Sequence, residues 1–188
     1  AKPTSGDARI FGHSIITEAH EVKKLINVSP QETAVAPNLS VRENLEFIAG
    51  IYGAKNPWES ASREIEEMGL SSVASKNAKP LSGGWQRRLS IAMALISEPK
   101  LLFLDEPTLG LDVIARRELW NVIKKLRSRT TVILTTHYLE EAESLSDRIG
   151  IMSHGSLVAC GTAEELVALS GKGNFEDAFV ALAGGEKA

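Results

Sequence analysis

The sequence predicts an α/β fold, and three observations predict it. Leu101–Leu104 and Thr131–Thr135 are short apolar or β-branched runs bounded by polar residues, the pattern of strands buried on both faces of a parallel sheet. Between them, Val113–Leu126 carries Leu119, Val122, Ile123 and Leu126 at helical spacing. Strand, helix and strand in this order predict a right-handed parallel crossover, and a helix over Tyr138–Leu145 followed by a strand over Arg148–Met152 extends the alternation.

The remaining elements follow in chain order. The opening residues to Asp7 read as a turn, and Ala8–Phe11 as a short strand stopped by Gly12. Leu25–Ser29 is a second strand, ended by Pro30. Leu45, Ile48, Ala49 and Tyr52 recur at i, i+3, i+4 and i+7, which predicts an amphipathic helix over Ser40–Tyr52 with Ser40 as its N-cap. Trp58–Met68 reads as another helix. Gly83 and Gly84 precede Gln86–Ile96, which is rich in helix formers and stops before Pro99. Ala163–Leu169 and Phe175–Leu182 are closing helices separated by the loop of residues 170–174. There is no internal repeat, so the chain reads as one domain with a helical middle section.

At 188 residues, 43% hydrophobic and 24% charged, the chain can bury a core of its own. A net charge of −3 gives no global basic field, so no nucleic-acid partner is expected. Cys160 is the single cysteine; it excludes an intrachain disulfide, suits a reducing cytosol and is expected to be a small buried apolar residue. No apolar run approaches the roughly 20 residues that span a bilayer, so a membrane role calls for a separate partner. The first residue is Ala1, without a signal-peptide pattern, and the chain is expected to begin inside a domain.

Two motifs carry chemistry. Asp105 and Glu106 close a buried strand where the chain leaves the sheet, the place at which such folds bind ligands. There Asp105 suits a magnesium ion on nucleotide phosphates, and Glu106 suits an attacking water; a polar turn capping the strand is the competing reading. Ser82, Gly83 and Gly84 open a helix, where free amides and the helix dipole favour an anion, against an ordinary serine N-cap.

With these motifs in place, the chain resembles the nucleotide-binding domains of ABC transporters. Leu81–Gln86 is similar to the family's signature, Leu101–Asp105 to Walker B and Glu106 to the catalytic glutamate. Gly110–Leu111–Asp112 resembles the D-loop, His137 after Thr135 and Thr136 the switch histidine, and Gln31 after Pro30 the Q-loop glutamine. The resemblance implies a P-loop NTPase-type (RecA-like) parallel sheet flanked by helices, with an inserted α-helical subdomain. Its implied segments are residues 1–34 around the Q-loop, 35–97 for the helical subdomain and signature helix, 98–160 from Walker B to the H-loop, and 161–188 for C-terminal helices.

It also implies a mechanism. ATP and Mg2+ would bind between two such domains facing head to tail, as a homodimer or heterodimer. Ser82, Gly83 and Gly84 would face the partner's nucleotide, Asp105 and Gln31 the ion, and Asp112 would work across the dimer. Glu106 would be the general base, and His137 would bond the γ-phosphate and the water. Hydrolysis would drive transport by a transmembrane permease subunit, with the domain cytoplasmic and peripheral on the inner face of the membrane. The run Val158–Leu166 and the ending Phe175–Phe179 resemble bacterial exporter subunits. A soluble ABC protein acting on ribosomes or DNA, or a partner subunit that does not hydrolyse ATP, are the alternatives.

Trp85 departs from the glutamine usual at the fifth signature position and is expected to alter packing only. The Walker A strand and loop are expected to be missing, because nothing satisfies Gly-x-x-x-x-Gly-Lys-[Ser/Thr]; Gly171–Lys172 follows the last predicted strand and reads as a solvated loop. In the family that strand lies between those corresponding to Thr131–Thr135 and Arg148–Met152. Its loss would open sheet edges and weaken both stability and ATP binding. His13, His20 and His154 have no metal-ligand spacing and read as surface or turn histidines. Arg87–Arg88 and Lys124–Lys125 read as basic pairs on solvated helix faces.

Overall fold

The computed structural model describes residues 3–184. Contacts divide the chain into two compact units, one ending at Thr135 and one beginning at Thr136.

The first unit opens with an antiparallel hairpin, β1 (Arg9–Ile10) and β2 (His13–Ser14). Phe11 and Gly12 form its turn with φ of 49° and 89°, the left-handed geometry that two-residue hairpins require. The strand expected over Ala8–Phe11 is shortened because Phe11 enters that turn. Helix α1 (Ala19–Leu25), which the sequence reading does not foresee, follows and buries a single residue, Val22. Before it, His13 Nδ1 bonds Glu18 Oε1 at 2.9 Å, and this bond holds the Glu18 carboxyl below the usual range.

Strands β3 (Ile26–Ser29), β4 (Leu101–Asp105) and β5 (Thr131–Thr135) form a parallel sheet with β4 in the middle. Val28, Phe103 and Ile133 share one row, and Asp105 pairs with Thr135 at the C-terminal end. The parallel pairing of β4 and β5 across α5 (Val113–Leu126) is the crossover the sequence predicts. Burial on both faces holds for Leu101, Leu102 and Leu104 but fails in β5, where Thr131, Ile133 and Thr135 are exposed. The exposure alternates and follows a face of the sheet: Ile133 shares its row with Val28, which is exposed as well.

The middle section packs α2 (Val41–Ile51) on α3 (Pro57–Glu67) and on α4 (Gly83–Leu95). Ser40 caps α2 as its sequence position predicts: its hydroxyl accepts from Glu43 N, and Glu43 Oε2 accepts from Ser40 N at 2.7 Å. Such a cap contributes ~1 kcal/mol. Asn56 caps α3, with Pro57 at the first helical position where its missing N–H costs nothing. Leu45, Ala49, Ile65, Met68 and Leu70 are among the buried apolar residues of this section's first two helices and the turn after them. Glu64 is fully buried as well; both its oxygens accept from Arg129 Nη2, at 3.1 and 2.9 Å. Burial pushes its pKa up, against the downward pull of Arg129.

The second unit contains α6 (Leu139–Leu145), the antiparallel pair β6 (Ile149–Ser153) and β7 (Ser156–Gly161), α7 (Ala163–Ser170) and α8 (Phe175–Gly184). Ile149, Ile151, Ala159, Leu166 and Phe175 form its core. The strand expected at Arg148–Met152 thus belongs to a hairpin, turned by His154 and Gly155 at φ of 49° and 79°. Cys160 is exposed, against the expectation of burial, because alternation in β7 puts Ala159 and Gly161 on the covered face instead. No helix among the described residues is long and apolar enough to cross a membrane.

Candidate functional site

The site is built at the C-terminal end of β4. Asp105 is exposed there, and the Thr135 hydroxyl on β5 donates to Asp105 Oδ1 at 2.6 Å, orienting the carboxylate. The backbone then turns sharply, with Glu106 at φ 45°. A residue with a Cβ holds that conformation at a cost of about 1–2 kcal/mol, so its surroundings must over-determine it. Two contacts do so from β5: Glu106 N donates to Thr135 O at 3.1 Å and to Thr135 Oγ1 at 3.3 Å. Leu109 N closes the turn on Glu106 O at 3.2 Å.

A further anchor comes from α4. Arg87 is 4% exposed, which corrects the expectation of a solvated basic pair. Its Nε donates to Pro107 O at 3.0 Å and its Nη2 to Asp105 O at 2.5 Å, so one guanidinium holds the carbonyls on either side of Glu106. Its Nη1 donates to Pro30 O and, at 3.2 Å, to Gln31 O. Only arginine offers donors in a fixed planar fork wide enough for such a set. Arg88 is buried too, correcting the other half of the pair: it lies 4.9 Å over the Trp85 ring and pairs with Glu118 on α5 at 2.5 Å. Trp85 therefore packs against the guanidinium one turn further along its own helix.

The start of α4 carries Ser82, Gly83 and Gly84. Helix geometry begins at Gly83, three residues before the expected Gln86, and Ser82 stands at the N-cap without a side-chain capping bond. Its exposed hydroxyl and the first amides of the helix face the same end. The glycines also serve packing: a Cβ on Gly84 would lie 3.1 Å from Ala115 Cβ, and one on Gly83 would lie 3.5 Å from Leu111 Cδ2. Asp112 caps α5, its Oδ1 accepting from Ile114 N and Ala115 N, both at 2.9 Å.

Gln31 presents an exposed side chain beyond β3 while its carbonyl is fixed by Arg87. The fold thus ties Gln31, Asp105 and Glu106 to the helix that starts with Ser82–Gly84. His137 belongs to the second unit, exposed, with its ring 4.2 Å from that of Tyr138. Gly171 ends α7 in the left-handed conformation, φ 66°, so Gly171–Lys172 sits at the carbonyl end of a helix, the wrong pole for a phosphate. Arg87 and Thr135 are the site residues that sequence reasoning misses. Thr135 had a signal, its place two residues before His137; Arg87 had none beyond its distance of one turn from the glycines.

Among the described residues, no group of three or more His, Cys, Asp or Glu could hold a metal by itself. A single strand-end carboxylate such as Asp105 fits an ion whose other ligands are phosphates and water.

The ABC transporter family model matches residues 1–109, more than half of the chain. The daunorubicin resistance ATP-binding protein DrrA3 of Streptomyces coeruleorubidus is 40% identical over 173 residues, which are 90% of this chain and 55% of that protein. The human phospholipid-transporting ATPase ABCA3 is 39% identical over 165 residues, 86% of this chain and 10% of that protein. A solved ATP-binding subunit of an ABC transporter superposes with a TM-score of 0.79 at 24% identity, covering 96% of this chain and 78% of that one, which shows the fold. The chain belongs to the ABC transporter family, and it spans about half the length of the bacterial relative and a tenth of the human one.

Proposed function

We propose that the full-length protein is the ATP-binding and ATP-hydrolysing component of an ABC transporter, working at a head-to-tail interface with a second such domain and coupled to a transmembrane partner. The observation that carries this reading is the pair Asp105–Glu106 at the end of a buried parallel strand, with Glu106 held in a left-handed turn. Carboxylates placed there suit the holding of a cation that neutralises phosphate charge, and water activation, in phosphoryl transfer. Asp105, oriented by Thr135, and Gln31 would hold Mg2+, which when bound neutralises charge on the ATP phosphates. Glu106 takes the proton of the attacking water. Ser82, Gly83 and Gly84 offer a hydroxyl and helix-start amides to the γ-phosphate of the partner's nucleotide, whereas His137 serves the nucleotide of its own subunit, bonding its γ-phosphate and the water that Glu106 activates. Asp112, while capping α5, lies on the loop that would meet the second domain.

The relatives named for daunorubicin resistance and for phospholipid transport match this chain about equally, at 40% and 39% identity. The shared domain therefore does not choose the cargo; the membrane partner does. Export is the direction that the resistance relative suggests. The localisation that follows is the inner face of the membrane, peripheral on the partner.

The test is ATP turnover by the full-length protein with and without Glu106→Gln. Removal of a positioned base is expected to lower turnover by about 100-fold or more while ATP still binds. Turnover surviving that substitution would remove Glu106 from the role.

A further inference from the structure

Arg87 is a cation on a helix that the hydrolytic reading above does not employ, and its contacts are with backbone alone among the bonds described for it. Three of its nitrogens reach four carbonyls in two separate segments. Asp105 O and Pro107 O bracket Glu106, whose φ of 45° is the strained point of the strand-end turn. Pro30 O and Gln31 O lie 75 and 74 residues upstream of Asp105, at the exit from β3. The cation sits four residues after Gly83, the first residue of α4, so one rigid helix presents both the glycine start and the guanidinium.

From this we infer that Arg87 is a positioning residue: its guanidinium bridges the Gln31 loop and the Glu106 turn, fixing both in one register relative to the start of α4. The physical basis is the planar fork of donors. The Nε–Nη2 edge spans the two carbonyls around Glu106, and Nη1 faces the other way toward Pro30 and Gln31. An ammonium on a flexible stem carries its donors at one point and cannot span both sides. A shift of the Gln31 loop is thereby transmitted to the backbone that aims Glu106, and the reverse. The bridge itself is independent of which chemistry Glu106 performs; its consequence for hydrolysis rests on the function proposed above.

The experiment is hydrogen exchange on the full-length protein, read in peptides covering residues 29–36 and 105–111, with ATP turnover measured in parallel. Arg87→Met keeps the length of the stem and removes every donor; Arg87→Lys keeps a cation and guards against a misfolded first variant. Both segments are expected to lose protection together in both variants, by tenfold or more in Arg87→Met, beyond any uniform change seen across α2 and α3. Turnover is expected to fall at least tenfold with KM for ATP changed less than threefold, because positioning and not binding is lost. Loss of protection in one segment only, a uniform loss over the whole first unit, or wild-type exchange in Arg87→Lys would each overturn the bridge. If the wild-type protein shows no ATP turnover, the hydrolytic reading falls, and the exchange data alone decide the bridge.

Discussion

Two basic pairs, Arg87–Arg88 on α4 and Lys124–Lys125 at the end of α5, look alike in the sequence and do opposite things in the fold. Both arginines are buried, held by carbonyls, a carboxylate and an aromatic ring, while both lysines are exposed in the last turn of their helix. The difference lies in the donor geometry and in what surrounds each pair. A delocalised, weakly hydrated guanidinium loses less on leaving water and can replace its hydration with several directed bonds. An ammonium is strongly hydrated and belongs where water stays, here beside the helix carbonyl end, whose partial negative charge it complements. Of these two pairs, the buried one connects separate segments and the exposed one stays at the end of its own helix.

The largest effect that tests this contrast concerns a third buried charge, Glu64 on α3, which Arg129 reaches from beyond the end of α5. Arg129 also pairs with Glu67. Glu64→Ala removes the buried partner and leaves a void, and should cost about 3 kcal/mol in urea unfolding of the full-length protein, the low end for a broken buried pair because Arg129 reaches water. The pH dependence has a definite sign. Burial raises the folded-state pKa of Glu64 above 4.5, so its stability contribution is greatest below that value and is lost as pH rises through the raised one. Glu64→Gln does not titrate, so its stability relative to wild type should improve as pH rises through that window. A constant difference would show that burial does not govern this carboxyl.

How much of this was legible beforehand differs by level. Elements with long local periodicity were readable: Ser40 capping α2, the apolar stripe of α5 and the strand, helix and strand of β4, α5 and β5 all depend on residues close in sequence. The placement of Asp105 and Glu106 at a strand end followed from the same pattern. The burial of Arg87 did not, because the partners described for it are backbone carbonyls of Pro30, Gln31, Asp105 and Pro107, and every residue type offers the same carbonyl. The exposure of β5 was hidden for a related reason: its composition matches a buried strand, and only the register shows that Ile133 lies in one row with the exposed Val28. The β6–β7 turn at His154–Gly155 was missed although glycine after a residue tolerant of positive φ is a local hairpin signal.

A reciprocal exchange of the two cation types gives the remaining test of the contrast. Arg87→Lys should cost about 2 kcal/mol in the same unfolding measurement, since charged hydrogen bonds on one side of the fork go unmade inside the protein. Lys125→Arg should stay within about 0.5 kcal/mol of wild type. The reason is that Lys125 needs only a positive charge near the last carbonyls of α5, at an exposed position where salt screens it. Arginine provides the same charge there with a similar helix propensity. If the two exchanges cost the same, the distinction drawn from geometry fails, and burial of Arg87 would reflect its place on a crowded helix and nothing about its fork. If Lys125→Arg proves neutral while Arg87→Lys does not, the asymmetry belongs to the acceptors: four converging carbonyls in one case, and a helix end open to water in the other.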